Sequence, residues 1–427
     1  MNETIKGKKL LILGGKPAGT PDIVRIAKRL GIHTIVTDNL APENSPAKLI
    51  ADEVWDISTA DVGTLAQKAR EHGVSGVFFG AHEFNLMRAK EIAALCGFPF
   101  YATDEQLLLN FNKEHFKAKC REFGISVPRS YDPADRESIS SIEYPVIVKP
   151  LDGNGGRGIT ICHEATQIDA AIDFAYEYSP GKKAVIEEYV VGREITAVYT
   201  IKDGEVSLSC FRDRYPTEEM DQVTAQYDLS LIPSQYTKLF LDTAHERFVR
   251  LLSSVNAQNG CVFFQGIANR NKITFFECGY RPNALCDYHN IAQLNGINYL
   301  EMMIVYALTG RMDPYELSMD DPLPDSFSGI FNLTAHAGVI TRQEGVEAVR
   351  ELEHVIAADY LHVIGDRIAD NTALAQSVFR AHIFGSTREE LENTIHRIQE
   401  LVVIEDEQGR NMLFRPFDSR RLFKEEQ

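Results

Sequence analysis

Apolar residues recur along this chain in two rhythms that alternate over the first hundred positions. Short apolar runs at 9–13, 33–37, 54–57, 77–79 and 98–101 have the length of buried strands. Between them, 21–30, 66–72 and 84–95 carry apolar residues at helical spacing. A glycine-bearing turn at 14–20 joins the first run to the first helix, and Gly31 stops that helix. Strands separated by helices predict a parallel sheet with helices on its faces.

The rhythm changes near Leu107. Residues 107–123 read as one helix, carrying Lys113, Lys117 and Lys119 and stopped by Gly124. Segment 127–131 is extended, and runs at 144–149, 160–162 and 184–189 predict strands around a helix at 167–178. Longer runs at 195–202, 206–214, 261–269 and 272–278 read as antiparallel strands. The sequence "NRNK" closes a hairpin, and a helix at 237–256 lies between the pairs. Past Ser326 come strands at 329–335, 360–364 and 377–384 and a helix at 387–401. The Pro-rich "DPLPDS" at 321–326 reads as a linker. The expected division is an α/β domain at 1–106, a central domain at 107–320 with a lid of about 125–190, and an α+β section at 321–427 packing on it.

Composition narrows the function. The chain has 427 residues and a net charge of −17, a field that repels nucleic acid and anionic membranes, so neither is expected as a partner. Seven scattered cysteines, an odd number without Cys-x-x-Cys, predict reduced, buried thiols rather than disulfides or zinc. With no signal-like apolar stretch at the N-terminus, the expectation is a cytoplasmic protein.

Chemistry concentrates in a few stretches. In "VIVKPLDGNGGRGI", Lys149 ends a strand, and Gly153, Gly155, Gly156 and Gly158 follow with Arg157 among them. Glycine costs backbone entropy, so four need a reason. Either the loop is a mobile surface hairpin, or it is a flap whose N–H groups fold over phosphates. In "VIEEYVVGREI", Glu187, Glu188, Val190 and Glu194 follow a strand exit; they are either an exposed acidic end or contacts for a heterocycle and a ribose. Gln265 and Glu277 lie on two hairpin strands, where parity can put both on one face. An amide oxygen and a carboxylate there suit Mg²⁺, a surface ion pair being the other reading. Arg281 follows, with a fork suited to a carboxylate or phosphoryl group. Arg212 and Arg214 in "CFRDRYP" share a strand face and suit a substrate carboxylate or a phosphate, or else paired surface charge. His289, His336 and His382 read as core or surface residues. "ILGGKPAG" with Asp38 is not a G-x-G-x-x-G fingerprint, because its glycines are Gly14, Gly15 and Gly19.

Taken in order, these stretches resemble the ATP-grasp superfamily over about 105–300, and the preceding hundred residues resemble its usual N-terminal partner domain. The flap 149–158, with Arg157, is similar to the biotin carboxylase loop. The resemblance implies a Rossmann-like first domain, an ATP-grasp fold with a small lid and a larger antiparallel subdomain, and an α+β C-terminal section. It implies that Lys113, Lys149, Gly155, Gly156, Arg157, Gly158, Glu187, Glu188, Val190 and Glu194 bind ATP. It puts Glu187 near the exocyclic amine and Glu194 on the ribose. Glu277 and Gln265 fall on metal-ligand positions for Mg²⁺ (or Mn²⁺), and Arg281 on the catalytic arginine of Glu-x-Asn-x-Arg. Glu83, Lys16 and Asn85, together with Arg212 and Arg214, are substrate candidates. Two positions depart from the family: its first acid is Gln265 here and its asparagine is Gly279. Either Glu277 and the phosphates hold the metal, or another residue such as Asp287 supplies an oxygen, or catalysis is impaired.

The implied activity is an ADP-forming carboxylate–amine ligase working through an acyl phosphate on amino-acid or similar small substrates. Its partners would be a small carboxylate and an amine; the resemblance leaves the oligomeric state open, a homodimer being common for such chains. The alternatives are a bicarbonate-phosphorylating enzyme like biotin carboxylase or half of carbamoyl-phosphate synthase, and a nucleotide-binding protein with little turnover.

Overall fold

The computed structural model describes all residues except 1–4, 17–18, 134–138, 140, 152–157, 219–225, 370–375 and 423–427. A parallel sheet opens the chain: β1 (Lys9–Leu13), β2 (His33–Thr37), β3 (Glu53–Trp55) and β4 (Gly76–Phe79), in the order β3-β2-β1-β4. Helix α1 (Thr20–Arg29) joins β1 to β2, α2 (Val62–Glu71) joins β3 to β4, and α3 (Glu83–Cys96) follows β4. The run at 98–101 does not become a fifth strand. Pro99 has no N–H for a ladder, and Tyr101 is used elsewhere. Its ring stacks on Tyr280 at 5.8 Å and its hydroxyl donates to the Tyr280 carbonyl at 2.7 Å, tying this domain to the next.

The expected single helix at 107–123 is two helices, α4 (Asp104–Phe111) and α5 (Lys113–Glu122). Asn112 between them leaves helical geometry, at φ −123° and ψ 97°, and its side chain accepts from the His115 N–H. A side-chain cap offers the backbone an alternative to a continuous helix, and here the cap prevails.

A small antiparallel sheet follows: β5 (Ser130–Tyr131), β6 (Val146–Pro150), β7 (Thr160–Cys162) and β8 (Ala184–Glu188), ordered β5-β8-β6-β7 and backed by α6 (Ile168–Glu177). Val146, Val148 and Ile186 meet Ile168, Ala171 and Ala175 in a core separate from the rest of the molecule. β6 and β7, consecutive in the chain, pair antiparallel. Gly153, Gly155, Gly156 and Arg157 lie outside the described residues. Gly158 is described, at φ +72°, where a Cβ would come within 2.8 Å of Tyr178 Cβ and 2.9 Å of Pro150 Cγ. Only glycine fits that close approach.

The largest sheet has eight antiparallel strands: β9 (Arg193–Lys202), β10 (Glu205–Pro216), β11 (Tyr227–Ile232), β12 (Gly260–Ala268), β13 (Ile273–Gly279), β14 (Phe327–Thr334), β15 (Val355–Tyr360) and β16 (Ser377–Gly385). Their order is β13-β12-β9-β10-β11-β14-β16-β15, so strands on both sides of 321–326 belong to one sheet. The strand expected at 360–364 lies earlier, and the chain has left the sheet by Ile364, which is exposed. The helix expected at 237–256 contains one wide turn, Leu241–His245, before α7 (Glu246–Ser254). Two further helices, α8 (Tyr288–Asn295) and α9 (Tyr299–Thr309), have no counterpart in the sequence reading. α9 is buried nearly all round and offers no apolar stripe to detect. The chain closes with α10 (Arg388–Leu401).

Candidate active site

The candidate residues fall into two groups, one where the lid sheet meets α5 and one on neighbouring strands of the large sheet. In the lid, β6 and β8 pair with Ile147 opposite Glu187, which puts Lys149 and Glu187 on one face. Lys149 Nζ lies 2.6 Å from Glu187 Oε2. Lys117, buried on α5, donates to the other oxygen. Glu187 is only 1% exposed and therefore sits between two ammonium groups. Burial alone would raise its pKa, but Lys149 and Lys117 hold it below the usual carboxylate value. Burial lowers the Lys149 pKa, and the charges of Lys117 and Lys113 add to that effect against the opposing pull of Glu187. Lys117 also donates to Glu114 at 3.2 Å, so with Lys113 three lysines stand against two carboxylates, a positive excess that a bound anion would compensate.

Lys113 is the first residue of α5, close enough for its charge to reach Lys149. Glu188 turns away from this group, accepting from the Arg129 N–H at 3.2 Å. Val190 is half-buried just beyond β8.

A second group spans four neighbouring strands. Glu277 on β13 lies opposite Gln265 on β12, and Gln265 is paired in turn with Thr196 on β9. Glu194, two residues before Thr196, meets Arg214 of β10, whose Nη1 is 2.5 Å from Glu194 Oε1. The Tyr227 hydroxyl donates to the other oxygen of Glu194. The neighbours of the Gln265 amide set its orientation. Nε2 donates to Glu277 Oε2 at 3.0 Å, and Oε1 accepts from Arg214 Nη1 at 3.0 Å and Nη2 at 2.8 Å. Glu194, Arg214, Gln265 and Glu277 thus form one chain of hydrogen bonds. Burial disfavours the Arg214 charge, but Glu194 and Tyr227 outweigh it and raise its pKa.

Arg281 lies over the Phe263 ring at 5.2 Å and contacts Glu83 of α3 at 3.2 Å, a link between the central and first domains. Asn110 supports the link, donating to Glu83 at 3.5 Å and accepting from the Tyr280 N–H at 3.1 Å. Asn85 is buried and donates to the Leu13 carbonyl at the end of β1. Lys16 reaches Asp366 at 3.4 Å. Asp38 is committed to structure, accepting from the Gly15 N–H at 2.7 Å and Ser45 Oγ at 2.8 Å and pairing with Lys48 at 3.0 Å.

Arg212 and Arg214 share a strand face but not a role. Arg212 is completely buried and paired with Asp287, whose other oxygen accepts from the Tyr299 hydroxyl. Both Asp287 oxygens are therefore engaged away from Glu277. The three histidines are better connected than their sequence context suggested. His289 Nε2 is 2.9 Å from Asp22, His382 Nδ1 is 2.6 Å from Asn290, and His336 packs on Phe414. Sequence reasoning assigned no role to Lys117, although it quoted it, and overlooked Tyr227 and Arg380. Arg380 is nearly buried, donating to Asn332 Oδ1 at 2.9 Å and the Ala284 carbonyl at 2.6 Å. The i, i+4 spacing of Lys113 and Lys117 was a signal available for the first of these.

The donor set of Lys113, Lys117 and Lys149 around a buried carboxylate fits a nucleoside triphosphate. For a divalent cation, Glu277 is the acid that Gln265 contacts among the described residues. Among the described residues no group of three or more His, Cys, Asp or Glu is placed to hold a metal. Remaining oxygen ligands would come from phosphates, which suits Mg²⁺ or Mn²⁺.

The family model described as an ATP-grasp domain matches residues 111–282. The carbamoyl phosphate synthase large chain of Clostridium beijerinckii is 25% identical over 341 residues, covering 74% of this chain and 31% of that one. This chain therefore spans about a third of that relative's length. The formate-dependent phosphoribosylglycinamide formyltransferase of a Synechococcus species is 24% identical over 286 residues, covering 65% of this chain and 70% of the relative. The structure of an L-amino acid ligase from Bacillus licheniformis superposes with a TM-score of 0.74 at 16% identity, over 94% of this chain and 99% of the ligase. That likeness shows a shared fold.

Proposed function

We propose, from the match of residues 111–282 to the ATP-grasp domain model, that the chain is an ADP-forming ligase joining a small carboxylate to an amine. The observation that carries the reading is the meeting of Lys117 and Lys149 on the buried Glu187 carboxylate, with the charge of Lys113 reaching Lys149. Lys113 and Lys149, with the N–H groups of the hairpin that includes Gly155, Gly156, Arg157 and Gly158, neutralise the phosphates of ATP. Glu187, Val190 and Glu194 would line the nucleoside end, whereas the Glu188 side chain is turned to the Arg129 N–H. Glu277 holds Mg²⁺ (or Mn²⁺), which supplies charge neutralisation on the phosphates.

The substrate carboxylate attacks the γ-phosphorus in line, forming an acyl phosphate and releasing ADP; an amine then displaces phosphate to leave an amide. Such a transfer rests on positioning and charge compensation, with no protein nucleophile. Arg281, whose Nε is buried without a partner, is placed to stabilise the equatorial oxygens of the transferring group. Its neighbour Glu83 orients it from the first domain. The shared fold with an L-amino acid ligase supports amino-acid-type substrates.

The test is ADP release with Mg²⁺ and ATP across the twenty amino acids, singly and in pairs, with and without bicarbonate. A stimulating pair establishes the ligase. Stimulation by bicarbonate alone would replace it with carboxyphosphate chemistry, a reading favoured by the similarity to a carbamoyl phosphate synthase large chain.

A further inference from the structure

We infer that the Arg214 guanidinium takes the place of a second divalent cation, so that this site holds a single metal ion, on Glu277. The inference rests on the nucleotide–metal reading above. β12 and β13 put side chains 265 and 277 directly opposite each other, and two carboxylates there would form a strongly negative pair. The chain removes one of those charges by placing Gln265 there and brings a cation to the same spot from β10. Both terminal nitrogens of Arg214 donate to Gln265 Oε1, at 3.0 and 2.8 Å. That oxygen is the one atom by which an amide can ligate a metal, and its lone pairs point at a guanidinium. The other end of the amide donates to Glu277 Oε2 at 3.0 Å, so Gln265 faces the carboxylate as a donor.

Arg214 is locked in this position. Glu194 holds Nη1 at 2.5 Å, Tyr227 lies beneath the guanidinium at 4.6 Å, and the side chain is 11% exposed. A guanidinium stays charged at every working pH. A fixed positive charge within 3 Å of the ligand oxygen excludes a divalent ion there and does part of that ion's electrostatic work toward an anion. A cation supplied by the chain also needs no loading, which leaves nucleotide binding dependent on one metal site.

The experiment counts metal. The full chain is saturated with a non-hydrolysable ATP analogue and dialysed to equilibrium against Mn²⁺. Bound Mn²⁺ is counted, and its electron paramagnetic resonance spectrum is examined for coupling between two ions. The expected result is one Mn²⁺ per chain with no coupling. Glu in place of Gln, Q265E, is expected to leave the count at one, because Arg214 claims the new carboxylate. The double variant Q265E/R214M is expected to raise it to two and produce the coupled spectrum, with Q265E/R214Q as a second version. Two ions in the natural chain would overturn the inference. So would two in Q265E alone, which would make the amide the whole cause, or one in both folded double variants. Calorimetry of the analogue separates the two levels: no analogue binding to the natural chain overturns the nucleotide reading and the inference together, whereas normal binding with two Mn²⁺ overturns the inference alone.

Discussion

Gly279 and Phe263 lie directly opposite each other on β13 and β12, and a Cβ on Gly279 would fall 2.1 Å from Cζ of the Phe263 ring. The departure from the family's asparagine thus has a partner: the glycine makes room for an aromatic ring, and Arg281 rests over that ring. Gly279→Asn should therefore not restore a metal ligand. It should destabilise the chain by about 1–3 kcal/mol through overpacking and displace Arg281 with the ring. Urea unfolding measures the first effect, and an unchanged midpoint would show that the ring yields freely.

Lys149 and Lys117 touch the same carboxylate but should respond differently to removal. Lys149 is partly accessible at the hairpin, whereas Lys117 is buried. Lys149→Ala should weaken ATP binding by about 1.5–3 kcal/mol, the worth of a charge-assisted contact, with little loss of stability. Lys117→Met should lower stability by about 1–3 kcal/mol by leaving one Glu187 oxygen without a donor. Calorimetry with ATP and a denaturant melt of each variant separate the two. Equal losses of both properties in both variants would argue that the lysines act as one structural unit.

Arg281→Lys keeps the charge and loses the fork. As the group proposed to stabilise the transferring phosphoryl, it should lose about 10²- to 10³-fold in turnover, with ATP affinity nearly intact. Glu83→Gln keeps a hydrogen-bond acceptor for Arg281 and should cost much less. Steady-state ADP release decides, and a larger loss in Glu83→Gln than in Arg281→Lys would move the chemistry to the acid.

Asp22 gives the molecule an acid limit. Burial alone would raise its pKa, but His289, Tyr288 and Arg25 hold it far below the usual carboxylate range. A carboxylate depressed in the folded state contributes stability that is present above its unfolded value of about 3.9 and is lost as pH falls below it. Unfolding free energy should therefore begin to fall near about pH 5 and keep falling below about pH 3, toward the strongly depressed folded-state value. Asp22→Asn should flatten that drop and cost about 1.5–3 kcal/mol at neutral pH. A variant with the natural slope would place the acid sensitivity elsewhere.

Much of this architecture could be read along the chain because periodicity and glycine placement reflect burial. The parallel sheet, the hairpin of β6 and β7, and the Gln265–Glu277 pair all follow from local pattern. What stayed hidden depends on contacts distant in sequence. Asn112 breaks a helix that apolar spacing alone extends, since capping competes with periodicity. α9 shows no stripe because it is enclosed on every side. The partners of Arg214 come from β9, β11 and β12, so its role could not be assigned from "CFRDRYP". Glu187 and Lys117 are seventy positions apart in the chain and meet only when α5 faces the lid.

The continuous eight-stranded sheet has a consequence for how this chain can be cut. Pro-rich segments such as 321–326 invite truncation, yet β14 supplies the hydrogen-bonding partner for β11, through Leu229 opposite Phe331 and Leu231 opposite Gly329. A fragment ending at the segment would carry an unpaired apolar edge where Leu229 and Leu231 lose their cover, an open template for aggregation. The part of the chain that carries the candidate site and the C-terminal part therefore share one sheet, and a shortened version would need a new strand to cover that edge.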